Sequence, residues 1–534
     1  MRLLVLDGAQ SIGGTKIYLE EGSVGVLLDF GINYGRWGLY FEEYLKPRSG
    51  RGLYDLWALG LIPKVEGLYR RDLMPKDFAP SFEYALEIHG VFLSHAHLDH
   101  CGLVGLIRED CPLYTSALSA AIMKALQDSG QTDFYGEFAY CNPRAPKTED
   151  ARALATHSQR PYRGRPLRSV LGGTPQDLQR FWQTPPNPKA SSTSSASRAK
   201  KLEAPCPQPA PDRLEELRFR AFAVDHSIPG AVAYLFYTDA GPVVYTGDLR
   251  LHGRHGDQTR RFVEAVARER PYLLIVEGTR LGREPGEPIT EEQVYENALQ
   301  IVQRSRGKLV IADFGPRHIE RLETFLNIAQ ETQRRLLVFT KDAYLLEALA
   351  YADSAFEKVL RHPALGIFDE LRLDPRGWEE GLRGRYNNLL VTAEEVRADP
   401  ASYVLAFSFY DMNDLLDIHP QEGVYIYSSS EAYGEDARVD LWRLWNWLKF
   451  YQMAVHGFCW VGSDERGGPE FSGGLHASGH ISAEDLLWLI KEIKPRYLLP
   501  VHTEHREWFV QALAGEPIRV VLTPEGEWFA DARS

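Results

Sequence analysis

The chain has 534 residues, of which 44% are hydrophobic and 25% charged, the balance of a globular protein too long for one ordinary core, so two domains are expected. A net charge of −13 excludes a protein coated in basic surface for indiscriminate nucleic-acid binding, although a local basic groove or bound cations can still attract phosphate to an acidic body. No apolar run reaches the eighteen residues of a membrane span, Asp7 cuts short the apolar start expected of a signal peptide, and five scattered cysteines without Cys-x-x-Cys spacing fit reduced thiols in a cytoplasmic protein.

Lys16–Glu20 and Val24–Asp29 read as two strands of a hairpin with Glu-Gly between them. Asp29 ends the second strand before Phe30-Gly31, where it fits equally a plain turn and an acceptor steadying a metal-bound histidine. The strand Val91–Leu93 then breaks into Ser94-His95-Ala96-His97-Leu98-Asp99-His100. Three imidazoles and a carboxylate cannot all enter an apolar core unpartnered, and together they suit zinc. His95 and His97, two apart, can converge on one ion while Asp99 and His100 aim at a second, the pattern of a two-metal hydrolase whose bridging hydroxide attacks phosphorus or a carbonyl.

A helix start is expected over 102–108 and a firmer helix over 118–126. The Arg- and Pro-rich stretch 141–171, with Arg160, Arg163, Arg165 and Arg168, reads as a solvated face or a phosphate-facing one. Residues 184–212, rich in Ser and Pro, read as a disordered surface loop. Arg218–Val224 alternates as a strand and delivers His226, and a hairpin over 232–245 ends in Thr246-Gly247-Asp248. His226 and Asp248 are the natural further ligands at strand ends, Asp248 as the carboxylate between two ions. The strand Tyr272–Val276 ends in Glu277. From about residue 283 helices and strands alternate as βαβ units, so a second, α/β domain is expected there. Near its end the strand Val424–Tyr427 leads to Ser428-Ser429-Ser430 and a helix whose Leu and Trp stripe reads as core packing. His476 and His480 precede the helix 483–493, and the strand Tyr497–Val501 ends in His502, which can complete the second metal.

Five stretches, SHAHLDHCG at 94–102, HSIPG at 226–230, TGD at 246–248, SSS at 428–430, and HASGH at 476–480 followed by PVHTEHR at 500–506, together resemble the metallo-β-lactamase superfamily and, within it, the β-CASP nucleases of the ribonuclease J type. The resemblance implies an α/β protein: a metallo-β-lactamase αβ/βα sandwich over 1–282 and 471–534, interrupted by a β-CASP α/β domain over 283–470. It implies two zinc ions, with manganese as a substitute, one held by His95, His97 and His226, the other by Asp99, His100 and His502, with Asp248 bridging. Asp99 would also orient the nucleophile, His480 would stand as general acid steadied by Glu277, and Ser428, Ser429, Ser430, His476 and Ser478 would receive a substrate phosphate. The implied activity is hydrolysis of single-stranded RNA, as a 5′-to-3′ exonuclease with scope for endonuclease cleavage, by a protein without a membrane partner that acts alone, as a homodimer or in an RNA-processing complex. Three alternatives compete. The insertion argues against a small-molecule metallo-hydrolase. His502, where DNA-processing relatives commonly carry valine, argues against a DNA nuclease. Seven filled ligand positions argue against an inactive scaffold. Two features depart from the type: Ala406–Asp411 stands near where a Gly-Ser-Gln-Gly-Glu block would fall, and Thr503 replaces the glycine after the last ligand.

Overall fold

The structure, a computed structural model, describes residues 1–42, 44–130, 133–147, 152–157, 159–186, 200–282, 288–429 and 435–529. Two seven-stranded sheets lie face to face. The first runs, in spatial order, through Arg2–Asp7, Lys16–Glu21, Val24–Leu28, Gly90–Phe92, Leu113–Thr115, Leu167–Ser169 and Gln208–Pro209, antiparallel across its first three strands and parallel beyond them. The second runs through Arg213–Leu214, Leu217–Ala223, Val232–Thr238, Gly241–Tyr245, Leu273–Val276, Tyr497–Pro500 and Arg519–Val520, with its last four strands parallel.

Both faces of each sheet are covered, which is why the central strands read as unbroken apolar runs. Successive side chains point to opposite faces. Leu3 and Val5 enter the core between the sheets, whereas Leu4 and Leu6 face outward into the larger core that also takes in the helix Ala117–Ser129. Ile275 and Leu499 face the same inner core, while Leu274 and Leu498 pack under the helices Gly256–Glu269 and Ala483–Ile493. Phe92 sits at the centre, stacked on Tyr114 at 4.4 Å and edge-on to Phe219, Tyr234 and Phe236. Helix, sheet, sheet and helix form the expected αβ/βα sandwich.

A third sheet is parallel throughout and runs Leu390–Val391, Leu365–Phe368, Arg335–Val338, Tyr403–Leu405, Leu309–Asp313, Gly423–Tyr427 and Met453–His456. It is inserted between Leu273–Val276 and Tyr497–Pro500, two strands that pair with each other, so the chain leaves the sandwich and returns beside its point of departure. The inserted helix Thr340–Ala352 shares a core with Ala117–Ser129, where the Tyr344 hydroxyl donates to Asp128 at 3.0 Å. In the helix Glu435–Phe450, Leu441, Leu444 and Leu448 take the buried stripe, and Trp442 and Trp445 pack half-buried at its border against Trp460 and Phe458.

Three expectations need correction. The helix after the histidine turn stops at Cys101 and is followed by a single 3-10 turn, Val104–Leu106. Arg165 faces no phosphate: it is fully buried and donates to the carbonyls of Gly105, Ile107 and Arg108. Within 184–212, residues 187–199 lie outside the described part, but residues 200–212 are not a loose loop. Leu202–Glu203 pairs with Tyr162–Gly164, and Gln208–Pro209 extends the first sheet at its edge, where a proline without N–H is tolerated.

The histidine turn is clamped to residues 29–32. Asp29 N–H donates to Phe92 O, Phe30 N–H to His100 O at 2.7 Å and Ile32 N–H to Leu98 O at 2.9 Å. This seam passes so close that a Cβ on Gly31 would lie 1.6 Å from Asp99 O. Gly31→Ala should therefore destabilise the fold by at least about 2 kcal/mol, read from denaturant unfolding, and loosen the turn; unchanged stability would show that the seam yields freely.

Candidate metal centre

Every ligand-type residue stands where a strand ends on the same rim of the sandwich. His95 to His100 follow Gly90–Phe92, His226 follows Leu217–Ala223, Asp248 follows Gly241–Tyr245, and His502 follows Tyr497–Pro500. The donor atoms converge in two groups that share Asp248. His95 Nε2 and His226 Nε2 lie 3.0 and 3.1 Å from His97 Nδ1, and 3.7 and 4.0 Å from Asp248 Oδ2. On the other side His100 Nε2 is 3.1 Å from the same oxygen and 3.8 Å from Asp99 Oδ2, which is 3.7 Å from His502 Nε2. Two donors bound to one zinc at about 2.0–2.2 Å cannot stand more than about 4.4 Å apart, and all these separations fall inside that bound.

Hydrogen bonds on the far side of the rings assign the tautomers. His226 Nδ1 donates to Gly479 O at 2.6 Å. The Ser94 hydroxyl donates to Asp29 at 2.6 Å and so accepts from His95 Nδ1 at 3.0 Å. Both rings therefore present bare Nε2 lone pairs to His97, whose Nδ1 could donate to at most one of them. His100 Nδ1 donates to Asp29 at 2.7 Å, which leaves its Nε2 facing inward. His100 Nε2, His502 Nε2 and Asp248 Oδ1 are buried without a hydrogen-bond partner. Orphaned buried donors of this kind are rare unless something else occupies the space between them. Burial drives His95, His97 and His226 well below the ordinary imidazole range, which keeps them neutral, the form that binds a metal. Nitrogen-rich donors on one side and a mixed nitrogen and oxygen set on the other fit a pair of zinc ions.

Asp29 holds this arrangement from behind. Its carboxylate accepts from Ser94 N–H at 2.7 Å, the Ser94 hydroxyl, His100 Nδ1 and the Tyr245 hydroxyl. Of the two readings open in the sequence, the geometry is that of the histidine acceptor, and it is reached with a left-handed backbone, φ 56°. His502 has the same strain, φ 52°, with its N–H donating to Gly8 O and its Nδ1 3.3 Å from the Thr15 hydroxyl.

Residues 474–522, which contain His476, His480 and His502, match a family described as Zn-dependent metallo-hydrolase RNA specificity domain. Ribonuclease J 2 of Staphylococcus aureus (strain NCTC 8325) is 22% identical over 324 residues, 59% of this chain and 52% of the relative. Ribonuclease J 2 of Staphylococcus saprophyticus is 23% identical over 327 residues with the same coverage, so the chain spans about half the length of the curated relatives it matches. The chain resembles the ribonuclease J-like β-CASP metallo-β-lactamases. A crystal structure of a protein of unknown function from Enterococcus faecalis V583 superposes over 99% of both chains with a TM-score of 0.64 at 20% identity, which shows the shared fold. Among the described residues no helix is long and apolar enough to cross a membrane.

Above the ligands, His480 Nδ1 lies 2.9 Å from Glu277 Oε2 and 3.7 Å from Asp248. Burial alone would lower the His480 pKa, but Glu277, with Asp248 and Asp99 beyond it, raises it above the ordinary value. Glu277 is itself fixed by Leu249 N–H at 2.8 Å and the Thr279 hydroxyl at 2.6 Å.

The serines expected to receive a phosphate are placed differently. The Ser428 hydroxyl points inward, donating to Leu475 O and accepting from Arg321 at 2.6 Å, because a buried guanidinium needs acceptors on every side. The Ser429 hydroxyl donates to Asp313 at 3.1 Å, and Ser430 lies outside the described residues. Ser478 accepts from His480 N–H at 3.2 Å, which leaves its own hydroxyl proton uncommitted, and His476 Nδ1 lies 3.3 Å from Ser428 O.

Sequence reasoning missed Thr15, Ser94, Tyr245 and Arg250. Arg250, fully buried beside the ligands, pairs with Asp225 at 3.3 Å and Glu320 at 2.6 Å and donates to Ser478 O at 3.2 Å, so it ties the ligand strands to the insertion and to the His480 loop. The polar residue after Thr246-Gly247-Asp248 was the available signal, but nothing local told it from a surface arginine.

If Asp29 orients His100 and Ser94, then Asp29→Ala should weaken metal binding by about 10- to 100-fold in a chelator competition without abolishing the fold. Metal affinity equal to wild type would show that the ligand rings hold their orientation without it.

Proposed function

We propose that this chain is a zinc-dependent ribonuclease that hydrolyses phosphodiester bonds of single-stranded RNA, acting from the 5′ end with some internal cleavage. The observation that carries the reading is the convergence of seven donor atoms with an acid–carboxylate pair, His480 and Glu277, on a segment matching an RNA specificity domain. In this reading residues 1–282 and 471–534 form the metal-binding sandwich and 283–470 a lid. His95, His97 and His226 would hold one ion and Asp99, His100 and His502 the other, with Asp248 available to both. Bound there, the ions would supply Lewis acidity to a phosphodiester oxygen and to an attacking water.

The remaining chemistry belongs to the side chains. Asp99, a quarter exposed at the mouth, accepts a proton from the incoming water and aims it. His480 keeps its Nδ1 proton on Glu277 and turns Nε2 toward the cleft, where a protonated ring donates to the leaving 3′ oxygen. With Ser428 and Ser429 committed inward, a 5′ phosphate would meet the free Ser478 hydroxyl and His476, whose imidazole burial holds neutral at about 3. A DNA substrate is the second outcome that a direct comparison would reveal.

His480→Ala should retain both metals yet lower kcat on single-stranded RNA by about 10²- to 10⁴-fold, and by much less on an ester with a nitrophenolate leaving group that needs no protonation. His480 also stands close enough to His226 and Asp248 to ligate, so loss of metal in this variant would make it a ligand and not an acid. Faster cleavage of DNA than RNA by the wild type would overturn the substrate.

A further inference from the structure

The buried arginines around the metal centre are answered by acceptors: Arg250 by Asp225 and Glu320, Arg321 by both oxygens of Glu291 at 3.0 Å. Arg317 is the exception. It belongs to the turn Phe314–His318 that joins the inserted strand Leu309–Asp313 to the helix Ile319–Glu331. Its Nη1 is buried, and its guanidinium has no hydrogen-bond or ion-pair partner among the described residues. A half-buried guanidinium without a partner is unfavourable unless something else meets it.

Its surroundings indicate what that is. The helix that follows is fastened to the metal-site side, Glu320 by Arg250 and Glu323 by Arg254 at 3.2 Å, so Arg317 is held at the edge of the ligand cluster. Arg250, which holds Glu320, also pairs with Asp225, the neighbour of His226, and donates to Ser478 O, two residues before His480, so the turn carrying Arg317 stands beside the ligand loops. Tyr34 comes from the opposite domain, is 51% exposed and lies two residues beyond Ile32, whose N–H donates to Leu98 O next to Asp99. An unpaired cation and an open aromatic ring thus flank the metal centre from two sides.

We propose that Arg317 is a substrate-binding residue: its guanidinium takes the non-bridging oxygens of a nucleic-acid phosphate next to the metal centre, while Tyr34 offers its ring face to the neighbouring base. A planar fork of donors suits a phosphate, and a tyrosine face stacks on any base, so the pair supplies affinity without sequence preference. It also gives an acidic protein a local cation where the substrate chain must pass. The proposal rests on the ribonuclease reading for the identity of the chain but not for the anion site itself.

The test uses the full, zinc-loaded chain with Arg317→Gln and Arg317→Lys. Because Arg317 has no partner among the described residues, neither change leaves one of them without its partner; metal content should match wild type, and melting should be no lower than wild type. Binding of a phosphorothioate RNA decamer by anisotropy and of inorganic phosphate by calorimetry should weaken by about 10- to 100-fold in Arg317→Gln. The slope of log affinity against log salt should become shallower by about 0.7. Arg317→Lys should recover part of the affinity but not the fork geometry, and Tyr34→Ala should weaken RNA but not phosphate. Wild-type affinity and salt slope in Arg317→Gln, with RNA cleavage intact, would overturn the inference and leave the ribonuclease reading standing. A wild type that cleaves no RNA but loses phosphate binding with Arg317→Gln would overturn the ribonuclease reading and support the anion site.

Discussion

The bare Nε2 atoms of His95 and His226 stand 3.0 and 3.1 Å from one His97 nitrogen that can donate to only one of them, and this constraint governs the rest of the molecule. His95 and His226 spend their ring protons on Ser94 and Gly479, so neither has one left for His97. Asp248 brings a carboxylate into the same dry volume and leaves one oxygen unpartnered. Such a cluster is unfavourable in a bare protein and becomes favourable once cations take the space between the donors, so folding energy elsewhere must hold it in place until they arrive.

The sandwich provides that hold through its strand ends. Two sheets packed on an aromatic centre bring four ligand-bearing strand termini to one rim, and each delivers its polar residue at the point where the apolar run stops. Asp29 then joins the sheets across the gap, since Ser94 and His100 belong to the first and Tyr245 to the second. The insertion departs and returns through neighbouring paired strands. For that reason Glu277, at its departure, and His502, at its return, meet over the same ligands although more than two hundred residues separate them. Arg250 and Arg321 carry the connection further into the insertion.

Local spacing made much of this legible in the sequence. His-x-His-x-Asp-His alternates side chains on a tight turn, and apolar runs ending in His226, Asp248 and His502 mark strand termini without reference to anything distant. The βαβ alternation revealed the parallel insertion, and the paired apolar runs the sandwich. What stayed hidden depended on distant partners. Whether the Ser428 hydroxyl faces a cleft or a buried guanidinium is decided by Arg321, a hundred residues earlier. That Arg317 has no partner among the described residues depends on what surrounds it in space, which no pattern within the chain encodes. Residues 200–212 resemble a linker in composition yet pair at sheet edges, because edge pairing tolerates proline and needs few side chains.

Crystals of the zinc-loaded protein, measured on both sides of the zinc absorption edge, test the central claim most directly. The account predicts two anomalous peaks per chain about 3.5–4 Å apart, the first among His95, His97 and His226, the second among Asp99, His100 and His502, with Asp248 reaching both. A single peak, or a second one bound by His480 in place of His502, would contradict it.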